Sequence, residues 1–161
     1  MNITFTLNQE KTDITCHPLT PLLEIIRGTH ALKGTHTGCL TGECNSCLVL
    51  VNDTLLNACL FPAFRLKDAR VVTIEGFVKT REYTDIEKAF LAKNIIQCGF
   101  CAPSLVLTAH AILTMKTTPL RGEIEEFLAG NLCLFSGWHQ VVDAIMLAAQ
   151  YRRNKREIKR R

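Results

Sequence analysis

Four of the eight cysteines in this 161-residue chain constrain its fold more than any other feature. Cys39, Cys44 and Cys47 are separated by four and then two residues, and Cys59 follows after eleven more. Three thiols within nine residues cannot be shared out among separate helices and strands, so the backbone must wrap tightly and turn them towards one place. The stretch LKGTHTGCLTGECNSC is poor in apolar periodicity and carries Gly34, Gly38 and Gly42, which let backbone amides approach whatever the thiols hold. Two irons bridged by two sulfides need four thiolates, and this spacing supplies three from one loop and a fourth from the chain returning beside it. Amide donors aimed at the sulfurs would stabilise the reduced cluster and raise its potential. Zinc sites favour paired short spacings, and disulfides belong mainly to exported chains. These two alternatives stand beside the cluster at this point. The segment MNITFTLNQEKTD lacks a basic stretch followed by an apolar one, so no signal peptide is read and a cytoplasmic location is expected.

Hydrophobic patterning divides the chain. Ile3, Phe5 and Leu7 alternate with polar residues as in a half-buried strand, and Thr12–Cys16 can return as its hairpin partner. Thr20-Pro21 opens a helix with Leu22, Leu23, Ile25 and Ile26 on its apolar face, closed by Gly28. Cys47–Val51 and Thr54–Leu60 flank a turn at Asn52-Asp53, and Val71–Ile74 is a further short strand. Beyond residue 84 the period becomes helical. Thr84-Asp85-Ile86-Glu87 fits a capping box, Ala102-Pro103-Ser104 begins a second helix reaching about Met115, Pro119 marks a third, and His139–Gln150 forms a fourth. The expected fold class is α+β, with a β-rich domain over residues 1–76, a linker at 77–83, a four-helix domain over 84–150 and a basic tail at 151–161.

A second cysteine set lies in the helical half: Cys98-Gly99-Phe100-Cys101, and much later Cys133. A C-x2-C pair at a helix start is by itself equally at home in a cluster, a zinc site or a redox dithiol. Read together, TPLLEIIR, GCLTGECNSCLVLV, Cys59, IIQCGFCAPS and AGNLCLFSGW occur in an order and spacing that resembles the iron–sulfur subunit of the xanthine dehydrogenase and aldehyde oxidase family, the molybdenum hydroxylases. The resemblance covers residues 1–150. It implies a β-grasp, ferredoxin-like domain with one 2Fe–2S cluster of the plant ferredoxin type on Cys39, Cys44, Cys47 and Cys59. It also implies a four-helix domain with a second 2Fe–2S cluster on Cys98, Cys101 and Cys133. Partners would be a molybdopterin-binding subunit and a flavin (FAD) subunit or domain, with electrons passing from molybdenum through the helical-domain cluster and then the ferredoxin-type cluster to the flavin. Gln97 and Cys98 match positions beside the pterin, which implies a contact at the subunit interface.

The chain departs from the family where a fourth thiolate of the second cluster is expected. That position is Phe135, whose side chain has no lone pair for a metal. Asn45 replaces a usual glycine, Leu134 a usual arginine, and Trp138 a common tyrosine, while Ala102 and Ser104 alter the motif after Cys101. Three accounts are open: a cluster with a non-cysteine ligand, for which Ser136 and His139 are at hand; loss of the cluster; or recruitment of Cys16, which otherwise reads as a small buried residue. The expected function is electron relay within an oxidoreductase complex, with no catalytic residue in this chain, and the alternative is a diverged single-cluster protein that docks a partner.

Charge adds little to this. Residues 151–161 hold seven of the nineteen Lys and Arg, leaving the remainder at a net −2, and the tail reads as a solvated, mobile terminus. No basic patch interleaved with aromatics marks a nucleic-acid surface, and no apolar run approaches the ~20 residues of a membrane span.

Overall fold

A computed structural model describes residues 1–95, 98–131 and 137–160. Strand β1 (Asn2–Leu7) turns back into β2 (Glu10–Thr15) through Asn8 and Gln9, both at positive φ, as a two-residue hairpin requires. The pairing runs from Asn2 opposite Thr15 to Leu7 opposite Glu10, which turns Ile3, Phe5 and Leu7 inward. A second hairpin joins β3 (Leu48–Val51) to β4 (Thr54–Asn57) through Asn52 and Asp53, again both at positive φ. Strand β5 (Arg70–Val72) lies between the hairpins, parallel to β1 and antiparallel to β3, giving the order β2-β1-β5-β3-β4. Helix α1 (Leu22–Glu24) and the π-helical turn Ile25–Thr29 bury Leu22, Leu23, Ile25 and Ile26. This mixed sheet with its covering helix, followed by helices, agrees with the α+β fold class.

Every residue of β3 is buried, and the reason lies in its two faces. Val49 and Val51 join the apolar cluster of β1, the α1 segment and Phe61, whereas Leu50 joins a second cluster made chiefly by helices. Successive strand side chains point to opposite faces, so one strand serves both cores and the helical half packs on the back of the sheet. The helices are α2 (Ile74–Phe77), α3 (Arg81–Ala92), α4 (Ala102–Met115), α5 (Arg121–Leu128) and α6 (Trp138–Arg160). Helix α4 is apolar on most sides because it is central; its buried Ser104 and Thr108 hydroxyls donate to the carbonyls of Cys101 (2.9 Å) and Ser104 (2.8 Å).

Some boundaries differ from the sequence reading. Helix α3 begins at Arg81, inside the stretch expected to be linker, and Thr84 sits within its first turns rather than at a cap. The cap position is Thr80, whose hydroxyl donates to the Phe77 carbonyl at 2.7 Å. Asp85 is buried and pairs with Lys155 at 2.5 Å. That contact, with the Arg152 guanidinium donating to the Glu82 carbonyl at 3.1 Å, explains why the basic tail continues α6 to Arg160. Gly28 falls inside the π-helical turn instead of ending a helix, and β4 stops at Asn57, so Cys59 lies in the turn beyond it.

His110 on α4 packs against the Phe77 ring at 4.6 Å, and among the described residues its buried Nδ1 has no hydrogen-bond partner. Burial, and secondarily the Arg152 charge, hold its pKa below the ordinary value, against weaker pulls from Glu82 and Asp53. The unfolded chain therefore takes up a proton near pH 6.5 that the folded ring resists. This contribution is complete above that pH and is lost as pH falls through it towards the folded-state pKa. Urea unfolding at pH 7.5 and 5.5 is expected to show a smaller loss of stability on acidification in His110→Gln than in the unaltered chain.

Candidate metal centre

The loop carrying the first three cysteines has no regular structure of its own and is fixed from its base. The Arg27 guanidinium donates to the carbonyls of Lys33 (2.8 Å) and Thr35 (2.7 Å), and the Lys33 ammonium returns a bond to the Arg27 carbonyl at 2.9 Å. Gly34 N–H donates to Glu75 Oε1 at 2.8 Å, while Glu75 Oε2 accepts from the Thr73 hydroxyl at 2.6 Å. A Cβ on Gly34 would lie 2.4 Å from Ile74 Cγ2, so only glycine lets the loop approach α2 this closely. His36 N–H then closes the loop by donating to the Ser46 carbonyl at 3.2 Å.

Within this frame the thiols face one another's amides. Cys39 Sγ accepts from the Cys44 amide at 3.3 Å and the Thr41 amide at 3.4 Å, and Cys44 Sγ accepts from the Cys39 amide at 3.3 Å. The chain achieves this with left-handed backbone at Leu40, Gly42 and Asn45. The Thr41 hydroxyl, then the Cys44 and Thr41 amides, bring the exposed Cys39 thiol down to about 6. It is therefore substantially thiolate at neutral pH, the form that binds metal. Cys47, at the entrance to β3, behaves oppositely: burial pushes its thiol up to about 12, with the neighbouring Cys59 and Cys44 thiols adding to the rise. Cys59 approaches it from the turn after β4, fixed where Ala58 N–H donates to the Cys47 carbonyl at 3.1 Å. Asn57 spans the site, its Nδ2 donating to the Gly42 carbonyl at 3.1 Å and its Oδ1 lying 3.8 Å from Cys47 Sγ.

The geometry thus brings together all four residues of the first set, arranged as Cys39 with Cys44 and Cys47 with Cys59. Among the described residues no three His, Cys, Asp or Glu side chains converge as a single metal ion would require. Two pairs suit a two-iron core, in which four thiolates are shared between the irons. One thiol that burial keeps protonated, Cys47, beside one that the Thr41 hydroxyl and nearby amides keep ionised, Cys39, belongs to a donor set completed by cations. The fit is close: a Cβ on Gly38 would lie 2.5 Å from Cys44 Sγ. Gly38→Ala is expected to weaken iron retention against a chelator by roughly tenfold or more, because it displaces a ligand rather than deleting one.

The second set is described in part. Cys98 is exposed, Gly99 has φ +80°, and the buried Cys101 sits at the start of α4, its carbonyl accepting from Leu105 N–H at 3.0 Å. His139 is exposed in the first turn of α6. Gln97, Cys133, Leu134, Phe135 and Ser136 lie outside the described residues. Cys16 follows β2, its N–H donating to the Met1 carbonyl at 3.1 Å, and packs against the apolar cluster of the sheet.

Two features of the site were not read from the sequence. Asn57 and Thr41 act on the thiols through side-chain hydrogen bonds, and nothing in their spacing distinguishes them from ordinary turn residues. The His36 imidazole stacks on Phe100 with ring centres 4.6 Å apart and planes 20° from parallel, joining the two cysteine loops across a sequence separation that no local pattern spans. Burial, and then the Arg27 charge, lower the His36 pKa, opposed by Glu75.

Residues 73–146 match a family model described as a 2Fe-2S binding domain. The chain is 33% identical over 148 residues to the xanthine dehydrogenase iron-sulfur-binding subunit of Escherichia coli O157:H7, covering 91% of this chain and 92% of that one. It is 30% identical over 150 residues to the nicotinate dehydrogenase small FeS subunit of Eubacterium barkeri, covering 93% and 96%. Among solved structures, quinoline 2-oxidoreductase from Pseudomonas putida 86 contains a chain of similar fold, with a TM-score of 0.87, 30% identity and 96% of both chains covered. Among the described residues, no helix is long and apolar enough to cross a membrane.

Proposed function

Because the chain belongs to the iron–sulfur subunits of the molybdenum hydroxylases, the family of the xanthine and nicotinate dehydrogenases, we propose that it relays electrons from a molybdopterin-bearing partner towards a flavin. The observation that carries this reading is the pairing of Cys39 with Cys44 and of Cys47 with Cys59 around one loop. A 2Fe–2S cluster held there would accept and pass on single electrons. The chain's own residues do the rest. The amides of Cys39, Thr41 and Cys44 direct positive dipoles at the ligand sulfurs and favour the reduced charge state. The buried Cys47 anchors the inner side against the sheet, while the exposed Cys39 marks the side through which a flavin-bearing partner is approached. No residue of this chain makes or breaks a substrate bond; that chemistry belongs to the partner's cofactor.

In the helical half, Cys98, Cys101 and Cys133 are three ligands of a second 2Fe–2S cluster whose fourth ligand, in place of Phe135, is Ser136 or His139. Gln97 and Cys98 face the pterin of the partner, a placement supported by the exposure of Cys98. The complex is cytoplasmic. The missing thiolate at Phe135 favours a second reading, in which one cluster is retained for stability and the chain docks a partner without completing the relay. Anaerobic purification of the tagged chain from its own cells separates the two. Stoichiometric molybdenum and flavin in the purified complex, with both reduced by substrate, are expected of the relay; a solitary chain that carries one cluster would contradict it.

A further inference from the structure

The first cysteine loop touches the helical half at two places, one of them between the cysteines of the second set. His36, three residues before Cys39, stacks on Phe100, which lies between Cys98 and Cys101. Asn45, between Cys44 and Cys47, packs on the chain leading to Cys133: a Cβ added to Gly130 would lie 2.4 Å from Asn45 Nδ2. His36 is itself held from several sides. Its N–H bonds to Ser46, the adjoining Thr35 carbonyl accepts from Arg27, and Gly34 is tied to Glu75. Among the described residues Phe100 has no comparable support. It is 45% exposed, it follows Gly99 in left-handed backbone, and it precedes the buried start of α4. The held ring therefore orders the free one.

We propose that His36 is a positioning residue for the second metal site, fixing the Cys98–Cys101 segment by stacking on Phe100, so that the first cysteine loop acts as a template on which the second set is arranged. This rests on the reading of Cys98 and Cys101 as ligands. It assigns to an aromatic contact a task that the sequence spacing of the cysteines leaves unassigned. The imidazole serves through its flat face, so another flat ring at position 36 should serve as well, and an aliphatic side chain should not.

The test uses the full-length chain freed of iron, with iodoacetamide as the probe and peptide mass analysis to follow each cysteine separately. His36→Ala is expected to raise the alkylation rate of the buried Cys101 by about fivefold or more, through freer local opening of the segment. Cys16, packed in the other apolar cluster, serves as the internal control and should be unchanged. His36→Phe should return the Cys101 rate to near that of the unaltered chain. Equal rates in all three proteins would overturn the proposal. So would a rise at Cys101 and Cys16 together, or a failure of His36→Phe to rescue. Iron and sulfide uptake by the same proteins is measured separately. A chain that takes up no iron would sink the ligand assignment while leaving the comparison of Cys101 rates, made on iron-free protein, intact.

Discussion

Cys47→Ala is expected to abolish iron binding at the first cysteine set and to lower the thermal midpoint of the iron-loaded chain by about 10 °C. Cys47 is 3% exposed and stands where the loop enters β3, so its sulfur ties the metal site to the sheet itself. A ligand bound a thousandfold above its dissociation constant stabilises the folded state by about 4 kcal/mol. For a domain of this size each kcal/mol moves the midpoint by about 2–4 °C. Removing one sulfur from the iron-free chain costs far less, because alanine keeps most of the apolar contact and leaves no buried polar group behind. The iron-loaded variant should therefore lose the part of its advantage that the first cluster supplies, and the iron-free forms of variant and parent should unfold within a few degrees of each other. Calorimetry of the four samples with parallel iron assays checks this. Retention of the full iron content by Cys47→Ala would place the first cluster elsewhere.

Phe135→Cys is the second large effect. It supplies the thiolate that the family pattern has and this chain lacks. With a second cluster already held by Ser136 or His139, the total iron should stay at about four per chain. The potential of that cluster should then move by the order of 100 mV, since thiolate and non-thiolate ligands differ strongly in the charge they donate. A downward shift identifies His139 as the displaced ligand, because a neutral imidazole raises the potential. An upward shift identifies Ser136, whose alkoxide is the harder donor. If iron instead rises from about two to about four, the unaltered chain holds one cluster, and the docking reading replaces the complete relay.

Much of this was legible in the sequence, for physical reasons that differ from one element to the next. Ile3, Phe5 and Leu7 marked β1 because one face is buried and the other is wet, and the Asn52-Asp53 turn marked the second hairpin because few residues accept left-handed backbone. Helix α4 was placed at both ends by Pro103 and the apolar run that follows it. Thr84 misled because a capping box is a local pattern, and the helix begins at Arg81, one turn earlier, directly after Thr80, whose hydroxyl bonds back to the Phe77 carbonyl. The helical continuation of the basic tail could not be read locally: Asp85, seventy residues away in sequence from Lys155, pairs with it on α6. The first four cysteines were legible because their spacing is itself a geometric constraint. Thr41, Asn57 and the His36–Phe100 stack were not, because their partners are chosen by the tertiary fold. Gln97, Cys133 and Phe135 rest on sequence alone, and the variant at Phe135 is the way to reach them.

The most direct measurement is iron and acid-labile sulfide per chain on anaerobically purified protein, with electron paramagnetic resonance after dithionite reduction. The account predicts about four irons, about four sulfides and two distinct signals, of which one disappears in Cys47→Ala. Protein that carries no sulfide after anaerobic reconstitution, or whose signals all survive that substitution, would contradict it.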